Sequence, residues 1–197
     1  MRRGILLGSV VVVMALALPA SAATTVTATD PAGDTESKVP GYLDLVSATA
    51  TEEGQTFVFT TQVADPIPSA AGKLSPAKAA RWVWGIDTDP TTAPKGTPVS
   101  PGHALPVELV LWVTWDGNSF AGSLIDRRPL LTGGEAIVTP LPFVIQSNLV
   151  SMTVAASAIG DPTSFRWNSA TILLPNQGED MSFRNADFFV PAFNPSP

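Results

Sequence analysis

Val107-Glu108-Leu109-Val110-Leu111-Trp112-Val113-Thr114-Trp115, running into Asp116-Gly117-Asn118, is the stretch that decides the fold class. Val107, Leu109, Leu111, Val113 and Trp115 share one face at period two, and Glu108, Val110, Trp112 and Thr114 share the other. Asp-Gly supplies the positive φ of a tight turn, so Ser119 to Ile125 reads as the returning strand of a hairpin. Upstream, Arg81 to Asp87 alternates in the same way, with Trp82, Trp84 and Ile86 together. Further upstream, Leu45 to Thr51 and Thr56 to Val63 flank the turn residues Glu52 to Gln55, and Phe57, Phe59, Thr61 and Val63 share a face. Thr24 to Thr29 is a first strand that ends in the turn Asp30-Pro31-Ala32-Gly33-Asp34.

Downstream, short strands are expected at Ala136 to Val138 and Phe143 to Ile145. Leu149 to Ala155 and Phe165 to Leu173 are longer, and a tail from Phe183 to Phe193 contains Asp187. Ala156 to Ile159 reads as one helical turn stopped by Gly160 and Pro162, and a second is expected after Pro76. Pro90 to Pro106 holds five prolines without periodicity and reads as a long loop. Strands this frequent, without an amphipathic helix, predict an all-β chain. The expected architecture is a single antiparallel β-sandwich, immunoglobulin-like or jelly-roll, with long Pro-rich loops and at most one or two helical turns.

Composition bounds the class. Met1-Arg2-Arg3, the apolar run Ile5 to Leu18 and Ala20-Ser21-Ala22 have the form of a secretory signal peptide. Residues 1–22 are therefore set apart, and 23–197 reads as one β-sandwich domain. Export to the extracellular space is expected, with the periplasm as the alternative. No later apolar run approaches the roughly 20 residues that span a bilayer. Without Arg2 and Arg3, 9 basic face 17 acidic residues, a net charge of −8 that argues against nucleic acid as a partner. The absence of cysteine excludes disulfides and thiolate chemistry, so a packed core must supply the stability.

The chemistry-bearing residues are few. His103 is the single histidine and lies in the proline-rich loop without a nucleophile elbow, so neither a serine triad nor a histidine zinc site is expected. No glycine-rich phosphate loop follows a strand, so no nucleotide is expected. Asp87-Thr88-Asp89 is followed by Pro90 rather than the glycine of an aspartic protease. The acidic turns admit two readings. Asp30, Asp34 and Asp44, and separately Asp87 and Asp89, could supply carboxylates and loop carbonyls to calcium. The same aspartates also start turns by bonding their own backbone. The five tryptophans likewise divide: Trp82, Trp84, Trp115 and Trp167 suit a core, whereas Trp112 falls on the outer face beside Glu108 and Thr114. There it could stack on a sugar ring. Trp112, Glu108 and Trp84 are the candidate ligand-binding residues.

The order of motifs resembles a known group. An Asp-x-x-Gly-Asp turn precedes the aspartate-led strand Asp44-Leu45-Val46. Then come Phe57-x-Phe59, an aromatic strand ending Ile86-Asp87-Thr88-Asp89, Ala158-Ile159-Gly160-Asp161-Pro162 and Asp187. This is similar to the exported bacterial β-sandwich domains grouped as DOMON-like and family-9 carbohydrate-binding-module-like. The resemblance implies a sandwich whose relatives bind sugars, calcium or haem, with Asp30/Asp34 and Asp87/Asp89 at ion-binding turns. A methionine/histidine pair for haem would here be Met152 and His103, which lie in unrelated segments, so no haem is expected.

Three functions are carried forward. The first is an exported, non-catalytic binding domain that takes a polysaccharide and is stabilised by calcium. The second is a cell-envelope or extracellular protein-interaction domain without a small ligand, using the Pro90–Pro106 loop and the Phe188/Phe189/Phe193 tail. The third is a small glycoside hydrolase using two carboxylates.

Overall fold

A computed structural model describes residues 23–35, 39–68, 79–89 and 107–174, with the backbone of strands Arg184–Phe189 and Ala192–Phe193. The Ser69–Lys78 segment, the Pro90–Pro106 loop with His103, and residues 1–22 lie outside the described residues. Two antiparallel sheets carry the fold. The smaller joins β1 (Thr24–Thr29), β2 (Leu45–Glu53), β3 (Thr56–Val63), β9 (Leu149–Ala155) and β8 (Phe143–Gln146), in the order β1-β2-β3-β9-β8. The larger joins β11 (Arg184–Phe189), β10 (Phe165–Leu174), β4 (Ala79–Asp87), β5 (Leu109–Trp115), β6 (Phe120–Asp126) and β7 (Ile137–Pro140) in that order, and β12 (Ala192–Phe193) pairs with β10. The all-β sandwich read from the sequence is the fold observed.

The alternation in the sequence becomes the alternation in burial. On β3, Phe57, Phe59, Thr61 and Val63 are buried while their neighbours are partly exposed. On β4, Ala80, Trp82, Trp84 and Ile86 enter the main core; on β5, Leu109, Leu111, Val113 and Trp115 do. Trp112 lies on the other face, as its position in the alternation predicts. That outer face is also apolar: Val83, Val110, Ile125 and Ile172 form a second buried cluster with Val107, and Trp112 packs against it. The central strands therefore carry apolar residues on both faces, the pattern of strands covered on both sides.

Across the core, Phe57 meets Phe165 edge-on at 5.1 Å and Phe59 meets Trp167 at 5.9 Å. Three polar contacts cross with them. Thr61 and Ser169 share a buried hydroxyl hydrogen bond of 2.9 Å, Trp82 Nε1 donates to Tyr42 O at 3.2 Å, and the Thr171 hydroxyl donates to Leu43 O. Three short 3₁₀ turns interrupt the strands, at Gly41–Leu43, Arg128–Thr132 and Ala156–Ile159. The last is the turn expected from the sequence, capped by Gly160 in the left-handed region at φ 91°. The first two were not foreseen. Arg128–Thr132 follows a strand end at which Asp126 takes the Arg128 backbone N–H.

Between β7 and β8, Leu141-Pro142 carries the chain from the larger sheet to the smaller one. The crossing is possible because Gly122, on the core side of β6, has no side chain. A Cβ there would lie 2.5 Å from Leu141 O and 2.8 Å from the Phe143 ring, and Leu141 N instead donates to Gly122 O at 3.0 Å. Gly122→Val is expected to push the crossing segment off the sandwich and destabilise the protein by about 1–3 kcal/mol. A lower urea midpoint with an unchanged m-value checks this.

Candidate functional site

The sandwich separates the predicted acidic residues into two poles. Leu43 O is bonded by Thr171, whereas Asp87 pairs across the sheet with Arg166 on the same strand, β10. Five strand residues span roughly 17 Å, so Asp44 and Asp87 belong to separate places.

At the first pole, β1 ends where Asp30 N donates to Val46 O at 2.9 Å. The chain turns through Gly33 at φ 88°, and Gly33 N donates to Asp44 Oδ2 at 2.7 Å. Asp44 follows the 3₁₀ turn Gly41–Leu43 and is fixed by its own backbone, its N–H donating to Gly41 O and its carbonyl accepting from Ala64 N. It is 5% exposed, and its Oδ1 is buried with no hydrogen-bond partner. Asp34 lies exposed on the rim of the same turn. Asp187 stands opposite Thr171 in the β10–β11 register. Asp44 and the 30–34 turn are thus brought together as the sequence predicts. Among the described residues no three acidic, histidine or cysteine side chains form a group able to hold a metal ion.

The second pole is an ion-pair network. Arg166 Nε donates to Asp87 Oδ2 at 2.8 Å and its Nη2 donates to the same oxygen, while the Asp87 side chain is wholly buried and Arg166 is 43% exposed. Burial pushes the Asp87 carboxyl above its ordinary range; Arg166 pulls it back, and the charges of Glu108 and Asp89 push it up again. Glu108 is 1% exposed, so it does not line a sugar site beside Trp112. Placed just before β5 rather than within it, its Oε2 accepts from Thr88 N, the Thr88 hydroxyl and Asp89 N, at 2.7, 2.7 and 3.2 Å. Its backbone carbonyl accepts from the buried Arg127. Beside it Arg128 clasps Asp126 through two hydrogen bonds, which holds the Asp126 carboxyl below its ordinary range. Asp87 and Asp89 therefore belong to a framework of charges that ties the end of β4 to β5 and β10.

The tryptophan candidates are also placed. Trp84 is fully buried in the core, because the even positions of β4 all face inward, and it presents no ring to solvent. Trp112 is half-buried on the outer face, with the Arg81 guanidinium 4.4 Å above its ring and Arg81 Nε donating to Thr114. One face of the indole is therefore occupied by a cation–π contact. Trp112, Glu108 and Trp84 do not converge.

A feature the sequence reading passed over lies at the sandwich edge. Ile137, Val138 and Val144, on β7 and β8, are 55–59% exposed, and Leu130, Leu131 and Leu149 are also exposed. The signal was an absence: the 25 residues from Ala136 to Gly160 contain no charged side chain. Arg166 and Arg81 were passed over too, because their roles depend on cross-strand register. No family model, no curated protein and no solved structure matches the chain, so the site is defined by its own geometry.

Arg166→Met is expected to leave Asp87 charged and buried. Breaking such a pair costs about 3–5 kcal/mol when both partners are buried, and the exposure of Arg166 reduces this to about 2 kcal/mol at neutral pH. The folded carboxyl binds its proton at higher pH than the unfolded one. Asp87 thus favours folding below its unfolded value, and that contribution is lost as pH rises through the folded value. Urea unfolding from pH 4 to 7 should show the Arg166→Met deficit shrinking toward low pH, and Asp87→Asn added to it should restore most of the stability.

Proposed function

We propose that the protein is an exported, non-catalytic interaction domain that docks a protein of the cell envelope against the β7–β8 edge. One observation carries this reading: an edge with three large apolar side chains more than half exposed, inside 25 uncharged residues of an acidic chain. Edge strands present unpaired N–H and C=O groups and are ordinarily guarded by charges. Here the charges are missing from the edge while the rest of the chain carries an excess of acids. A partner strand can add to β7 or β8 through its backbone, and the Ile137/Val138/Val144 row gives its alternate side chains apolar contacts. The polysaccharide reading draws on Trp112 alone, since Trp84 is sealed in the core and Glu108 is committed to the loop after β4.

A photo-crosslinking residue placed at Val138 or Val144, in cells that produce the protein, is expected to capture a discrete envelope partner. The same residue at Thr27, exposed on the opposite edge strand β1, should capture none, and Val138→Lys/Val144→Lys should abolish binding while leaving the melting temperature within a few degrees. Saturable quenching of tryptophan fluorescence by a glycan, lost in Trp112→Ala and indifferent to the edge variants, would replace this reading with the sugar-binding one.

A further inference from the structure

We propose that Asp44 and the Asp30–Asp34 turn hold a calcium ion. The inference is independent of the edge and starts from one atom. Asp44 is 95% buried by its 5% exposure, and Oδ1 has no hydrogen-bond partner. An ionised carboxylate is an acceptor only, and a buried one without donors or a cation is costly. Its second oxygen is engaged by Gly33 N at 2.7 Å, so the carboxylate is turned toward the acidic turn. Asp30, which opens that turn, buries its Oδ2 as well.

The contrast with Asp87 sharpens the case. Asp87 also buries an oxygen, but Arg166 supplies the compensating charge. Neither ion pair among the described residues involves Asp44. A cation is the missing partner that chemistry would select, and the donors choose which cation. Carboxylate and turn carbonyl oxygens are hard ligands, and a short irregular turn suits the flexible coordination of calcium better than the rigid octahedron of magnesium. With no cysteine in the chain and its single histidine at position 103, softer metals have no thiolate and no pair of imidazoles to bind. Asp44 would be the anchoring ligand, Asp30 a second carboxylate, and exposed Asp34 the rim.

The test is the melting temperature of the full chain in EDTA, in calcium chloride and in magnesium chloride, together with tryptophan-sensitised terbium luminescence. Trp82 makes such sensitisation feasible, since its indole bonds Tyr42 O two residues before Asp44. Calcium at about a hundredfold over its Kd should raise the melting temperature by roughly 5–10 °C, with a smaller response to magnesium. Asp44→Asn keeps an acceptor for Gly33 N–H and removes the buried charge. It should match or exceed the wild type in EDTA, lose the calcium response, and lose terbium luminescence at least tenfold. Glu53→Gln, on the exposed end of β2, should leave both intact. If Asp44→Asn does not fold, Asp30→Asn carries the same comparison. A wild-type melting temperature that is equal in calcium and EDTA, or a calcium response that survives in the Asp44 variant, overturns the proposal.

Discussion

With no cysteine in the chain, two sheets must be held in register by side chains alone. The central constraint is the layer in which Phe57 and Phe59 of one sheet meet Phe165 and Trp167 of the other. Burial of apolar surface drives that contact but is not directional. Direction comes from the edge-to-face ring geometry, worth about 0.5–1.5 kcal/mol per pair beyond burial, and from the Thr61–Ser169 hydrogen bond inside the layer. Sliding one sheet by two residues would keep an apolar interface but separate those hydroxyls in the core. Each unsatisfied group would then cost about 1–3 kcal/mol.

Once that register is fixed, the placement of every charge follows. The turn of Gly41–Leu43 is pinned by Trp82 and Thr171, so the acidic N-terminal turn closes over one end of the sandwich. At the other end, β4, β5, β6 and β10 deliver Asp87, Glu108, Asp126 and Arg166 to one place. The two ends treat buried carboxylates differently. Arginines and backbone amides answer Asp87, Glu108 and Asp126, whereas the oxygen of Asp44 beyond Gly33 N–H faces no donor. The first arrangement is self-sufficient framework, and the second is an incomplete coordination shell.

Much of this was legible. Strict alternation marked β3, β4, β5 and β9, placed Trp112 outside the main core, and put Phe57 and Phe59 inside. Gly160 and Pro162 marked the end of a helical turn that is present. What could not be read was pairing. Arg166 owes its role to lying opposite Asp87, and Arg81 covers Trp112 from a neighbouring strand; neither fact has a signature within one segment. Glu108 looked like an outward position of β5 because the alternation runs through Val107. The strand in fact starts at Leu109, which frees the Glu108 side chain to turn back onto Thr88. Trp84 carried a mixed reading because β4 is apolar on both faces, and register alone assigns it to the core.

The uncharged edge also shows how a docking surface is kept from becoming an aggregation site. β7 and β8 are four residues each, shorter than a typical strand, and Pro140 and Pro142 stand where they meet. Proline has no N–H to offer an added strand, so a continuous ladder across both sheets cannot form. A docked strand therefore meets a brief, interrupted template, and its binding energy must come from the Ile137, Val138 and Val144 side chains. The acidic excess of the remaining surface repels further copies of the same chain. Short strands, proline interruption and like charge elsewhere together leave the edge open to a single complementary segment and unsuited to propagation.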